Sequence, residues 1–177
     1  MAEVAVARLI ELPGWQRHIP AIDAIFFASS HRQVTDEGER AAFRERWLGR
    51  YLLHDPTLTF VAVAAGTVIG YIVGSHDDPA RAARFSDLGY LKAFAALTRL
   101  YPAQLHINLD ASWRSRGIGQ RLIAAFITEA AAAGAPGVHL VTGAASRNIS
   151  FYERAGFVPA ACTSIDGGRR LMMVRQP

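Results

Sequence analysis

A single cysteine, Cys162, in 177 residues excludes an internal disulfide, and the residues around it offer no second thiol or imidazole for a metal site. It is expected to be a buried structural thiol. Long apolar runs are also missing: the longest stretches, such as residues 60–65 and 130–135, fall far short of the roughly 20 residues a membrane helix requires, so no membrane role is expected. The first eleven residues carry an acid at Glu3 and no basic-then-apolar design, which points to cytoplasmic residence. Net charge is +4 with a pI near 9.7, yet the arginines are spread along the chain rather than clustered among aromatics, which argues against nucleic acid as a partner. No internal repeat, low-complexity stretch or linker divides the chain. With 51% hydrophobic and 19% charged residues it is globular, one domain over residues 1–177.

What is present is an alternation of strands and helices. Residues 3–12 alternate loosely as a first strand. Pro13-Gly14 then turns into a helical stretch over 16–29, with apolar Ile19, Ile22, Ile25 and Phe26. Asp36 is placed to cap a second helix over 37–53, whose Ala41, Phe43, Trp47, Leu48, Tyr51 and Leu52 recur at helical intervals. Residues 57–65 and 68–74, rich in β-branched and aromatic side chains, read as a hairpin joined across Gly66-Thr67. The pattern over 79–101 predicts an inserted helix with Ala80, Phe85, Leu88, Leu91, Phe94, Ala95 and Leu97, which either lines an acceptor site or simply packs. A strand to Leu109, a helix to about Ala133, a strand over 138–142, a helix over 146–155 and two final strands about Asp166-Gly167-Gly168 complete an α/β order with a mixed sheet.

The most informative stretch is Arg114-Ser115-Arg116-Gly117-Ile118-Gly119-Gln120, between the apolar strand ending at Leu109 and the amphipathic helix beginning near Ile118. A strand that stops before a glycine-punctuated turn opening a helix aims several backbone N–H groups, and the positive helix end, at one point. That point suits an anion. Backbone N–H groups from Ser115 to Arg121 are expected to hold it, with Gly117 and Gly119 allowing close approach and Arg114, Arg116 and Arg121 adding charge. The dinucleotide fingerprint fails because Leu122 stands where its third glycine belongs, and the P-loop fails for want of Gly-Lys-Ser/Thr.

Arg114-x-x-Gly117-x-Gly119 after a strand resembles motif A of the GCN5-related N-acetyltransferases, the GNAT family. Residues 148–157, closing on Tyr152-x-x-x-Gly156-Phe157, resemble its motif B, in the family's order and at a fitting separation. The resemblance covers roughly residues 57 to 175. It implies the GNAT acyl-CoA transferase fold: a mixed, mostly antiparallel sheet flanked by helices, here with the helical insertion before the fourth strand. It also implies transfer of acetyl from acetyl-CoA (coenzyme A) to a primary amine of a small molecule or peptide. The family's loop holds the pyrophosphate; the fourth and fifth strands splay, and the pantetheine arm lies in the gap. Main-chain N–H groups of Ile107, Asn108 and Leu109 match the positions that meet the thioester carbonyl and pantetheine amides, an oxyanion-hole arrangement. Tyr152 matches the phenol that protonates the departing thiolate. The family often has Asn seven residues before this Tyr; here that position is Ala145, and Asn148 stands in as the cofactor contact. A homodimer is compatible with the resemblance.

For a general base the residues leave His106, Asp110 and His139 open. His106 shares a strand face with Gln104 and Asn108, and an imidazole pKa of about 6.5 suits proton acceptance. His31, Arg32, Asp36 and Glu37 are polar candidates near the acceptor. A non-catalytic acyl-CoA sensor on the same fold is the alternative class, against which Tyr152 argues.

Overall fold

The computed structural model describes residues 3–30, 34–165 and 167–177. His31, Arg32 and Asp166 lie outside the described residues. Seven strands, β1 (Val4–Arg8), β2 (Phe60–Ala64), β3 (Thr67–Ser75), β4 (Ala103–Leu109), β5 (Val138–Gly143), β6 (Val158–Ile165) and β7 (Gly168–Arg175), form one sheet in the order β1-β2-β3-β4-β5-β7-β6. Pairing is antiparallel for β1 with β2, β2 with β3, β5 with β7 and β6 with β7, and parallel for β4 with β5. The chain forms two compact units: Met1–Gly74 with His106–Phe126, and Ser75–Leu105 with Ile127–Pro177. Among the described residues no helix is long and apolar enough to cross a membrane.

In the first unit, β1 is shorter than the alternation predicts, ending at Arg8 before a 3₁₀ turn over Leu9–Glu11. The helix α1 (Ile19–Ser29) buries Ile22, Ile25 and Phe26, as its apolar spacing requires. Asp36 caps α2 (Glu37–Arg44) by accepting from the Glu39 amide at 2.8 Å. The predicted long second helix is interrupted: a π turn over Glu45–Gly49 separates α2 from α3 (Arg50–His54). The β2/β3 hairpin turns on Ala65 and Gly66, with φ of 47° and 78°, one residue before the expected Gly66-Thr67. Left-handed conformation at both turn residues gives the twist that suits a two-residue hairpin.

The second unit holds the largest departure. Residues 79–101 are not a continuous helix but 3₁₀ turns over Ala83–Phe85 and Gly89–Phe94, followed by the one-turn α4 (Ala95–Thr98). The physical reason lies in the spacing of Phe85, Leu88, Leu91 and Phe94, all buried and each three residues from the next. A repeat of three matches the 3₁₀ period, which stacks i and i+3 on one line. Phe94 packs with Met172 and Val174, flanked by Tyr90, Leu97 and Tyr101, so this segment covers β7. Cys162 is exposed rather than buried. It lies on β6, an edge strand whose residues 161–165 alternate between half-buried and exposed, and period 2 puts the thiol on the solvent side. The remaining helices are α5 (Ile118–Ala132) and α6 (Ile149–Arg154).

Candidate active site

The turn into α5 has the backbone conformation an anion cradle needs. Ser115 and Gly117 both take left-handed angles, φ 60° and 74°, and Arg114 through Gly117 are exposed. The first helical bond across the junction runs from the Arg121 amide to the Gly117 carbonyl at 3.2 Å. The amides of Ile118, Gly119 and Gln120 therefore fall in the first turn, where an α-helix supplies no acceptor. Beyond its two flanking residues, no described atom lies within 4 Å of where a Gly117 Cβ would stand, so the main chain there is open to a ligand. Ile118, Leu122, Ile123 and Phe126 are buried and hold the turn in place. These features fit a diphosphate. The three loop arginines each have a further engagement. The Arg114 guanidinium donates to the Leu109 carbonyl at 3.3 Å from both Nε and an Nη, Arg116 lies over the Trp113 ring at 5.0 Å, and Arg121 donates to the Val4 carbonyl at 3.0 Å.

On β4, the side chains of His106 and Asn108 are held by aromatic hydroxyls. His106 Nε2 is 3.0 Å from the Tyr51 hydroxyl, and the Tyr51 and Trp47 rings stand 5.2 and 5.5 Å from the imidazole. Asn108 Nδ2 donates to the Tyr71 hydroxyl at 2.8 Å, and burial pushes that phenol above its ordinary range. Leu109 approaches β3 so closely that a Cβ on Gly70 would stand 2.9 Å from Leu109 Cγ and 3.3 Å from the Asn108 carbonyl. Asp110 donates its amide to the Ile69 carbonyl at 2.9 Å. The β4/β5 ladder comprises Ala103↔Val138 and Gln104↔His139, and β4 runs on to Leu109 beyond it. Ile107, Asn108 and Leu109 all lie in that extension.

Tyr152 sits on α6 with its ring buried between Phe151 and Phe157, at centroid distances of 5.1 and 6.2 Å. Loss of solvent pushes its phenol up to about 12, so it keeps its proton across the neutral range. The Gly156-Phe157 pair has a local cause. Gly156, at φ 84°, ends the helix, and the Phe157 amide reaches back to the Tyr152 carbonyl at 3.0 Å, a Schellman closure. Asn148 is exposed at the start of α6 and accepts from Thr142 Oγ1 at 2.9 Å; its side chain makes no cap bond.

The other two base candidates are engaged elsewhere. Burial lowers the His139 imidazole to about 4, and its Nδ1 faces the Tyr101 carbonyl at 2.5 Å, inside the second unit. Asp110 is exposed and accepts from both the hydroxyl and the amide of Ser112, which lower its pKa. The sequence marks Tyr51 and Trp47 only as part of a helix's apolar face, and Tyr71 only as a strand residue.

The structure of SsHAT is 24% identical over 98% of each chain, with a TM-score of 0.74. The NatC complex bound to Gag peptide and CoA contains a chain 18% identical over 99% of each, TM-score 0.67. The yncA protein of Salmonella typhimurium, solved with its cofactor acetyl-CoA, is 19% identical over 98% of this chain and 93% of its own, TM-score 0.64. At these identities the likeness concerns the fold. The sequence profile of the Acetyltransferase (GNAT) family matches residues 19–157, most of the chain, and takes in both the cradle and Tyr152. The chain belongs to the acetyltransferase (GNAT) family, and is an acyltransferase that uses acetyl-CoA as its cosubstrate.

Proposed function

We propose that this enzyme moves the acetyl group of acetyl-CoA to a primary amine, on a small molecule or a peptide, by direct attack in a ternary complex within one domain spanning residues 1–177. The observation that carries the reading is the left-handed turn at Ser115 and Gly117 opening α5, which leaves first-turn amides and an open main chain where a diphosphate is to be bound. Acetyl-CoA supplies the activated thioester carbonyl. The chain's own groups do the rest. Amides of residues 115–120 grip the pyrophosphate, the Arg121 amide being engaged by the Gly117 carbonyl, with Arg114 and Arg116 contributing charge nearby. Main-chain N–H groups of Ile107, Asn108 and Leu109 hold the pantetheine and the carbonyl oxygen, where an N–H stabilises the charge that builds as nitrogen attacks. The Asn148 amide group is the further cofactor contact.

Proton traffic is assigned to two residues. His106 takes a proton from the acceptor ammonium, whose ordinary pKa near 10 keeps it protonated and non-nucleophilic at neutral pH. The burial of His139 and the Ser112 bonds of Asp110 support His106 over the alternatives. As the N–C bond forms and the C–S bond breaks, the attacking nitrogen releases its second proton to solvent, while Tyr152 donates its phenolic hydrogen to the leaving thiolate and recovers a proton from solvent. Burial that holds the phenol near 12 supports a donor that is always loaded.

The test is thiol release from acetyl-CoA in the presence of a panel of amines, with acetyl-CoA affinity measured by calorimetry. Tyr152→Phe is expected to lower kcat about tenfold or more and leave affinity nearly unchanged. Undiminished turnover removes its role. His106→Ala should abolish the limb on which activity rises with pH, and an unaltered limb clears His106.

A further inference from the structure

We infer that Tyr51 is the positioning residue that orients His106 and holds it in one tautomer, with Nε2 protonated and Nδ1 exchanging the proton. The inference rests on the reading of His106 as general base. Three features of the first unit support it. Tyr51 is fully buried and its hydroxyl oxygen stands 3.0 Å from Nε2. The Trp47 ring meets the imidazole edge-on, at 77° and 5.5 Å, opposing a ring flip that would exchange the nitrogens.

The third feature is the π turn over Glu45–Gly49. Its i→i+5 bonding inserts one residue into the turn, and one residue rotates everything after it by about 100° relative to an unbroken α-helix. Tyr51 is the second residue after that turn, so its direction is set by the insertion. Short π segments recur where a side chain has to be re-aimed for function.

The chemistry then selects the tautomer. A neutral imidazole accepts a proton through the nitrogen that carries a lone pair, and the other nitrogen must carry hydrogen. With Nε2–H donated to the Tyr51 oxygen, the lone pair is on Nδ1. Transfer from the acceptor ammonium breaks its N–H bond and forms Nδ1–H, and the resulting imidazolium keeps the same Nε2–H bond to Tyr51. No rearrangement of the pair accompanies the step, so Tyr51 serves the charged and neutral states alike.

The experiment uses the whole chain labelled with nitrogen-15 at histidine, as wild type and Tyr51→Phe, which retains the ring and loses the hydroxyl. Long-range proton–nitrogen spectra at pH 8 are expected to show, for wild-type His106, a protonated Nε2 and an unprotonated Nδ1, and for the variant a mixture of tautomers. In turnover the variant should lose about tenfold in kcat with KM for acetyl-CoA unchanged. An unprotonated Nε2 in wild type, or an unaltered tautomer in Tyr51→Phe, overturns the assignment. The His106→Ala profile reports on the base reading separately, since the spectra register what Tyr51 does to the imidazole even where turnover does not depend on it.

Discussion

The Phe157 amide donates to the Tyr152 carbonyl at 3.0 Å, closing α6 directly behind the residue proposed as the acid. The closure needs a left-handed residue in between, which Gly156 supplies at φ 84°. Gly156→Ala places a Cβ in that conformation and 3.4 Å from Arg175 Nε. The strain is about 1–2 kcal/mol, equivalent to a fall in Tm of roughly 2–8 °C in a domain of this size. Calorimetric melting checks it, and kcat should fall with it as the phenol loses its fixed mount. An unchanged melting temperature contradicts the role assigned to the turn.

Gly70 and Leu109 meet with no room for a further carbon. Gly70→Ala forces the β4 residues Asn108 and Leu109 outward or distorts β3, an overpacking cost of about 1–3 kcal/mol. Because those residues are proposed to hold the pantetheine through their main chain, KM for acetyl-CoA should rise several-fold, about 1 kcal/mol of binding. Urea denaturation and steady-state kinetics on the same preparation separate the two effects.

Gly117→Ala tests the cradle itself. At φ 74° a Cβ adds strain of about 1–2 kcal/mol, although no neighbouring atom obstructs it. Relief comes by leaving the left-handed conformation, which re-aims the amides that follow. Calorimetry should record at least a tenfold loss of acetyl-CoA affinity, about 1.4 kcal/mol. Equal affinity in the variant rules out main-chain recognition at this turn.

His139 makes stability depend on pH. Its folded pKa of about 4 lies below the unfolded value near 6.5, so the unfolded chain binds the extra proton first as pH falls. The folded state is therefore unaffected above pH 6.5 and loses stability progressively from there down to about 4, by an amount on the order of 3 kcal/mol. Denaturant midpoints between pH 7 and 4 measure this. The slope should flatten in His139→Gln, and a slope unchanged by that substitution assigns the acid sensitivity to other groups.

The parts of the site that were legible in sequence are those whose geometry is made locally. A glycine pair between a strand and a helix predicts the cradle because helix-end amides and left-handed turn residues are neighbours in the chain. Tyr-x-x-x-Gly-Phe predicts the α6 mount for the same reason: its closing bond spans five residues. The departure over residues 79–101 from a continuous helix also has a local origin. Phe85, Leu88, Leu91 and Phe94 repeat every three residues, and a spacing of three belongs to α- and 3₁₀-helices alike until one asks whether the i+4 positions are also apolar. The buried cysteine was expected from residue type, and edge-strand register decided otherwise.

Local spacing alone thus specifies the family's motifs, the left-handed turn before α5 and the closure of α6 behind Tyr152, because each is made by φ angles and hydrogen bonds among residues a few positions apart. What surrounds each imidazole depends on contacts distant in sequence. Tyr51 reaches His106 across 55 residues and Tyr71 reaches Asn108 across 37. His139, equally plausible on its own strand, is sealed against the Tyr101 carbonyl and stripped of water. Desolvation and long-range hydrogen bonding depend on what the folded chain brings alongside a residue, and no spacing within a strand records that.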